Sequence, residues 1–113
     1  ISDQIELFIG KNASDNLLLL RESQPWHLWL HLKDYPGAHG ILRFSKGTQP
    51  KLQEIEQAAQ KVAERSQKSH HHIQAGDVFD VLVVEKRFVK PIKGDKLGRV
   101  RYSNEQVYSI KKT

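Results

Sequence analysis

The run "WHLWLHL" at residues 26–32 constrains the fold most, because apolar residues recur there at every second position. Successive side chains of a strand point to opposite faces of a sheet. One face is predicted to carry Trp26, Leu28, Leu30 and Leu32, and the other His27, Trp29, His31 and Lys33. A turn centred on Pro36 and Gly37 and a second strand, "GILRFS" at 40–45, complete a predicted β-hairpin.

Two segments predict helices. Residues 12–22 begin with Asn12 as an N-cap, followed three residues later by Asp15 in the manner of a capping box. Residues 50–67 show an apolar stripe with small residues near its middle, which predicts close packing on a sheet. This stripe consists of Leu52, Ile55, Ala59, Val62, Ala63 and Ser66.

Further strands are predicted at 5–9 and 77–89, with a final hairpin of "RVRYS" and "QVYSI" across Asn104 and Glu105. Two helices among about six strands, joined by short connections, indicate an α+β fold with a largely antiparallel sheet. The 113 residues fit a single domain, 1–113, that can bury a core. Because the chain opens at Ile1 and contains no methionine, we expect either a processed chain or, in preference, a domain cut from a longer protein.

The net charge of +5 is unevenly distributed along the chain. Residues 1–85 contain nine Lys/Arg and eleven Asp/Glu, whereas residues 86–113 contain nine Lys/Arg and two Asp/Glu. This asymmetry favours an edge that binds a polyanion, although a solvated basic tail would give the same count. The absence of cysteine excludes disulfides and thiolate chemistry and is compatible with a reducing compartment. No run is long and apolar enough for a signal peptide or a membrane span, so no membrane partner is expected.

The histidines raise the possibility of metal binding or catalysis, and both are disfavoured. His27 and His31 share a face but lie about 13 Å apart in a strand, too far to chelate one ion. The contiguous histidines of 70–72 suit adventitious metal only, so no metal and no cofactor are predicted. A hydrolase built on His31, Asp34 and His39 lacks a recognisable nucleophile. The protein is therefore predicted to be a binding module and not an enzyme.

An RNA-binding surface fits the residues better. Lys11 and Asn12 place a cation beside the exposed amides of a helix start, although Asn12 also serves there simply as a cap. Trp29 is a candidate for stacking on a base, with packing under the turn or the second helix as the alternative. His31, Lys33 and His39 are predicted to face RNA, where the neutral histidines would hydrogen-bond phosphate or 2′-hydroxyl groups and protonation would strengthen the contact. Cations line an extended segment interrupted by Gly94 and Gly98, namely Lys86, Arg87, Lys90, Lys93, Lys96, Arg99 and Arg101.

The motifs "GKNASDNLLL", "LWLHLKDYPGAHGIL" and "VKPIKGDKLGRVRY" resemble, in order and spacing, those of the NFACT-R domain. That domain is the RNA-binding module of the ribosome-associated quality-control family, and the resemblance runs from Phe8 to Ile110. The matching positions are Lys11, Asn12, Trp29, His31, Pro36, Gly37, His39, Lys90, Lys93, Gly94, Lys96 and Gly98. The sequence departs from the family pattern at His27, Ala38, Gly40, Leu97 and Pro91-Ile92, as expected of a divergent or stand-alone member.

The resemblance implies a non-enzymatic role in the cytoplasm. Proteins of this family act on stalled large ribosomal subunits and recruit aminoacylated tRNA for untemplated tailing of the nascent chain. This domain would then contact tRNA or large-subunit ribosomal RNA through backbone and shape, with ribosomal proteins as further partners. One alternative is a protein-interaction module whose basic edge meets an acidic ribosomal or quality-control partner.

Overall fold

The computed structural model describes residues 4–33, 37–67 and 76–111. Within these ranges the chain forms two helices and seven strands, which confirms the predicted α+β class. The elements are β1 (Glu6–Ile9), α1 (Ala13–Glu22), β2 (Leu28–Leu32), β3 (Gly40–Arg43), α2 (Leu52–Gln67), β4 (Val78–Glu85), a 3₁₀ turn (Lys86–Phe88), β5 (Val89–Pro91), β6 (Val100–Tyr102) and β7 (Gln106–Lys111). Neither helix in these ranges has the length and apolar character needed to cross a membrane.

Five strands form one antiparallel sheet in the order β1-β3-β2-β4-β7, and β5 and β6 form a separate two-stranded ribbon. The predicted hairpin is present, since β2 pairs with β3 so that Trp29 lies opposite Ile41 and Leu30 opposite Gly40. Strand β2 also pairs along its whole length with β4. The alternating run of the sequence is therefore the central strand of the sheet.

Helix α1 begins where the cap was predicted. The side-chain oxygen of Asn12 accepts a hydrogen bond from the backbone N–H of Asp15 at 2.8 Å. The carboxylate of Asp15 in turn accepts from the backbone N–H of Lys11 at 2.9 Å, one residue before the position usual in a capping box. These two bonds fix the chain direction at Lys11 and leave its side chain exposed.

Helix α2 packs on one face of the sheet through the small residues of its stripe. Ala59, Val62, Ala63 and Ser66 are buried as predicted, above a core that includes Leu30, Leu32, Leu42 and Val81. The prediction was wrong for Leu52, which is 60% exposed because it lies in the first turn, ahead of the buried part of the helix. The approach is close: a Cβ on Gly40 would lie 2.6 Å from Cγ2 of Val62.

The opposite face of the sheet is also buried, by α1 and by the β5–β6 ribbon. Its core contains Trp29, Ile41, Leu82 and Val84 from the sheet. Leu20 of α1 and Val89 of β5 cover them. The alternation in β2 was read correctly, but the face carrying Trp29 is a second core and not a polar surface.

The predicted final hairpin across Asn104 and Glu105 is wrong. Strand β6 pairs with β5, whereas β7 pairs with β4, so the two segments belong to different sheets. Similarly, the strand predicted over 77–89 ends at Glu85, and a 3₁₀ turn separates it from β5. Strand propensity was present in each segment, but pairing depends on which apolar face each segment can bury.

Candidate nucleic-acid interface

The β5–β6 ribbon has one apolar and one basic face. Val89 lies opposite Tyr102, and this face packs on the second core, where the ring centroids of Tyr102 and Trp29 are 5.7 Å apart. Lys90 lies opposite Arg101, and both are exposed on the other face. Like charges directly opposite one another destabilise a strand pair. The register therefore places two positive charges side by side on the exposed face of the ribbon.

The loop between β5 and β6 is held by one carboxylate. Asp95 accepts hydrogen bonds from the backbone N–H of Leu97 at 2.9 Å and from Nε of Arg99 at 2.6 Å. The hydrogen bond from Arg99 is the main reason that the pKa of Asp95 is lowered from its usual value. Lys93 and Lys96 project from the same loop and are exposed. The guanidinium of Arg99 is thus paired within the loop, whereas these two lysines extend into solvent.

Two glycines shape this loop, as their spacing suggested. Gly94 and Gly98 both have positive φ, +78° and +71°, which glycine adopts without the steric cost that other residues incur. Gly98 is buried against α1, since a Cβ there would lie 3.1 Å from the Cβ of Ala13 and 3.2 Å from its carbonyl oxygen. The loop therefore rests on the first residue of α1, next to Lys11 and Asn12.

The structure thus brings two distant sequence motifs, the helix start and the basic loop, into one place. We call the exposed cations of this region, apart from Arg99 with its Asp95 partner, the basic surface. The basic surface consists of Lys11, Lys90, Lys93, Lys96 and Arg101. The contact between Ala13 and Gly98 joins its two parts.

Trp29, His31 and His39 form a cluster beneath this region. The indole N–H of Trp29 donates to Nδ1 of His39 at 3.2 Å, and the backbone N–H of Gly10 donates to the His39 carbonyl at 3.0 Å. His31 stacks parallel to Trp29 with ring centroids 5.6 Å apart. Nδ1 of His31 lies 2.5 Å from the carbonyl oxygen of Leu32. Trp29 and His39 share a hydrogen bond, and His31 packs against both of their rings, so the cluster supports the surface from below.

Burial changes the roles predicted for these residues. Trp29 is 2% exposed, so the prediction that it stacks on a base is wrong, and the alternative of a packed tryptophan is correct. It packs on α1 and the ribbon, not under the second helix. Burial lowers the pKa of His39 to about 3 and also lowers the pKa of His31. The expectation that His39 faces RNA is therefore wrong, because the residue is 8% exposed and its Nδ1 already accepts from Trp29.

The remaining predicted residues lie nearby or outside the described ranges. Lys33 is exposed just beyond β2. Gly37 packs against α2, because a Cβ there would lie 2.6 Å from Oγ of Ser66. Asp34, Pro36 and the histidines of 70–72 fall outside the described residues. Within residues 4–33, 37–67 and 76–111, no group of three or more His, Asp or Glu side chains has the arrangement of a metal site.

Tyr102 was not identified from the sequence. It is 40% exposed and forms the edge of the cluster where the ribbon covers Trp29. The alternation in "RVRYS" predicts that Val100 and Tyr102 share a face opposite Arg101, which is the arrangement found. Because the segment was assigned to a hairpin with β7, the contact between this face and the second core was not predicted.

The fold is shared with a solved structure. The C-terminal part of the fibronectin/fibrinogen-binding protein from Streptococcus suis superposes with a TM-score of 0.80 over 96% of this chain, at 24% sequence identity. This chain spans 42% of the length of that one. No family model matches the sequence, and no curated protein matches it. The similarity establishes the architecture of the chain.

Proposed function

We propose that this domain binds RNA through the phosphate backbone, contacting tRNA or large-subunit ribosomal RNA in ribosome-associated quality control. The observation that carries the proposal is the basic surface, where Lys90 and Arg101 lie side by side and the loop with Lys93 and Lys96 rests on the start of α1. Cations that protrude from a rigid support neutralise phosphates and release counterions.

The proposal is for binding without catalysis, in the cytoplasm, with ribosomal proteins as additional partners. It agrees with the resemblance to the NFACT-R domain, whose matching lysines all fall on the basic surface. His39 is neutral and accepts the Trp29 indole N–H through Nδ1. A general base at that position would have to give up this hydrogen bond, which supports a binding role over the hydrolase alternative.

The test is a comparison of two double variants in a tRNA-binding titration at fixed salt. Lys93→Ala with Lys96→Ala removes two charges from the basic surface. Lys51→Ala with Lys61→Ala removes two exposed charges from the other face of the sheet. Lys51 directly precedes α2 and Lys61 lies within it. We expect the first pair to weaken binding at least about fivefold and the second to leave it within about twofold. Equal effects of the two pairs would refute a defined RNA surface.

A protein-interaction module is the second candidate, and one observation favours it. Leu97, in the middle of the basic loop, is 70% exposed, and a protein partner buries such a side chain more readily than a phosphate backbone does. The structural neighbour is named for binding fibronectin and fibrinogen, which are proteins. Leu97→Ala separates the two functions: loss of a protein partner with unchanged tRNA affinity would favour the interaction module.

A further inference from the structure

A pocket of about 430 Å³ lies at one end of the five-stranded sheet. It opens where β2 and β7 begin and where β3 and β4 end. Its apolar floor includes Leu28, Phe44 and Val83, which belong to the core beneath α2. The basic surface is carried by α1 and the ribbon on the other face, so the pocket is a separate site.

Trp26 forms a fixed aromatic wall of this pocket. Its indole N–H donates to the carbonyl oxygen of Phe44 at 2.7 Å, and the ring of His27 meets it edge-on at 5.6 Å. The same carbonyl oxygen also bonds to Nε2 of His27 at 3.1 Å, so the Phe44 carbonyl fixes the orientation of both rings. The indole is half-buried, which leaves part of it available to a planar ligand.

Three side-chain amides line the pocket together with this wall: Gln49, Asn104 and Gln106. Each amide carries both donors and an acceptor, the combination needed to read the edge of a nucleobase. Asn104 has φ of +57° and is the non-glycine residue with positive φ in the described part of the chain. Asparagine adopts left-handed backbone more readily than most non-glycine residues, and here it forms the turn between β6 and β7 that brings its amide to the pocket.

Two cations complete the pocket. Lys46 is exposed, and its Nζ lies 6.0 Å from the Trp26 ring centroid. Arg87 pairs with Glu85 at 2.9 Å and is anchored by its backbone N–H, which donates to the Pro25 carbonyl at 3.0 Å. Glu85 also lines the pocket, where its pairing offsets the charge of Arg87, so the phosphate contact is assigned to Lys46 beside the aromatic wall.

We propose that this pocket binds a nucleobase together with its 5′-phosphate. The base stacks on Trp26, the amides of Asn104 and Gln106 contact its edge, and Lys46 contacts the phosphate. A free nucleotide and an unpaired nucleotide of an RNA strand present this same chemistry. An apolar peptide side chain would contact the floor alone, whereas a nucleotide would also contact the amides and Lys46, so the lining favours a nucleotide.

The two tryptophans of the chain provide the experiment. Adenosine 5′-monophosphate is titrated into ¹⁵N-labelled protein while the two indole N–H resonances are followed by NMR. We expect the Trp26 resonance and the side-chain amides of Asn104 and Gln106 to shift. The resonance of Trp29, buried on the other face, stays unchanged. Adenosine without phosphate and ribose 5-phosphate without a base each bind more weakly than the complete nucleotide.

Matched variants identify the contacts. Lys46→Ala weakens binding of the nucleotide roughly two- to fivefold, whereas Lys61→Ala, an exposed lysine of α2, leaves it unchanged. Gln106→Ala reduces the shifts, whereas Gln57→Ala, also exposed on α2, does not. A single-stranded oligonucleotide that produces the same Trp26 shift identifies RNA as the source, and failure of the oligonucleotide identifies a free nucleotide. Either result supports the site.

The nucleotide site can be tested independently of RNA binding at the basic surface. Lys93→Ala with Lys96→Ala leaves the nucleotide-induced Trp26 shift intact, even though it weakens tRNA binding. An unmoved Trp26 resonance at millimolar nucleotide, or shifts confined to the β5–β6 loop, would overturn the nucleotide site. Binding of an N-acetyl-leucine amide in preference to the nucleotide would also overturn it and would assign the pocket to a protein partner.

Discussion

At the scale of single residues, the buried imidazoles determine how the domain responds to pH. Burial lowers the pKa of His27, His31 and His39, and for His39 the value reaches about 3. In the unfolded chain these groups titrate near 6.5. The unfolded state therefore binds more protons below this pH. The contribution of each histidine to stability is complete above pH 6.5 and is lost as the pH falls towards the folded-state pKa.

His39→Asn tests this linkage, because asparagine keeps an acceptor for the Trp29 indole and does not titrate. We expect the unfolding free energy of the wild-type protein to fall by about 2 kcal/mol more than that of the variant between pH 6.5 and pH 5. Urea denaturation at the two pH values measures both proteins. His27 and His31 are present in each, so parallel losses would show that His39 does not carry the effect.

At the scale of elements, the contact between α2 and the hairpin leaves no room for a side chain on Gly40. A Cβ there would lie 2.6 Å from Cγ2 of Val62, which is itself fully buried. We expect Gly40→Ala to cost about 1–3 kcal/mol of unfolding free energy through overpacking. The cost should shrink when Val62→Ala is also present, because the smaller residue makes room. Additive costs in this double-mutant cycle, measured by chemical denaturation, would show that the two residues are not in steric conflict.

In the β5–β6 ribbon, one substitution is expected to raise stability and to weaken binding. Arg101→Glu places a carboxylate opposite Lys90 and converts a repulsive cross-strand pair into an attractive one. We expect a slightly higher melting temperature together with weaker tRNA binding. Combining it with Lys90→Glu restores the repulsion and should remove the gain in melting temperature. A variant that loses both stability and affinity would contradict the repulsion between Lys90 and Arg101.

At the scale of the whole molecule, the sheet is buried on both faces and the positive charge is concentrated on one of the covering layers. Helix α2 covers one face, and α1 with the ribbon covers the other. Residues 86–113 contain nine Lys/Arg and two Asp/Glu, and the ribbon and its loop lie in this part of the chain. Such a concentration of charge attracts phosphates over a distance that salt limits.

The affinity for tRNA should therefore depend steeply on ionic strength. With about four to six phosphate contacts, we expect at least a tenfold loss of affinity between about 50 mM and about 150 mM salt. Fluorescence anisotropy with labelled tRNA across this range gives the slope. A flat titration would contradict binding through the phosphate backbone and would favour the protein-interaction module.

The sequence alone predicted both helices and most strands of this protein because local signals define them. The N-cap at Asn12, the alternation in β2 and the small-residue stripe of α2 each depend on neighbours within one turn or one strand. The fold class, the β2–β3 hairpin and the position of α2 on the sheet were predictable for this reason. So was the concentration of cations after residue 86, which composition alone reveals.

Only the tertiary structure decided which surfaces are exposed and which segments meet. The alternation in β2 separates two faces but does not say that both are buried, so His39 was predicted to be accessible when it is not, and Trp29 was left between stacking on a base and packing. The pairing of β6 with β5, and the contact of Gly98 with Ala13, depend on residues far apart in sequence. Burial and long-range pairing are properties of how the layers cover one another, and no local pattern encodes them.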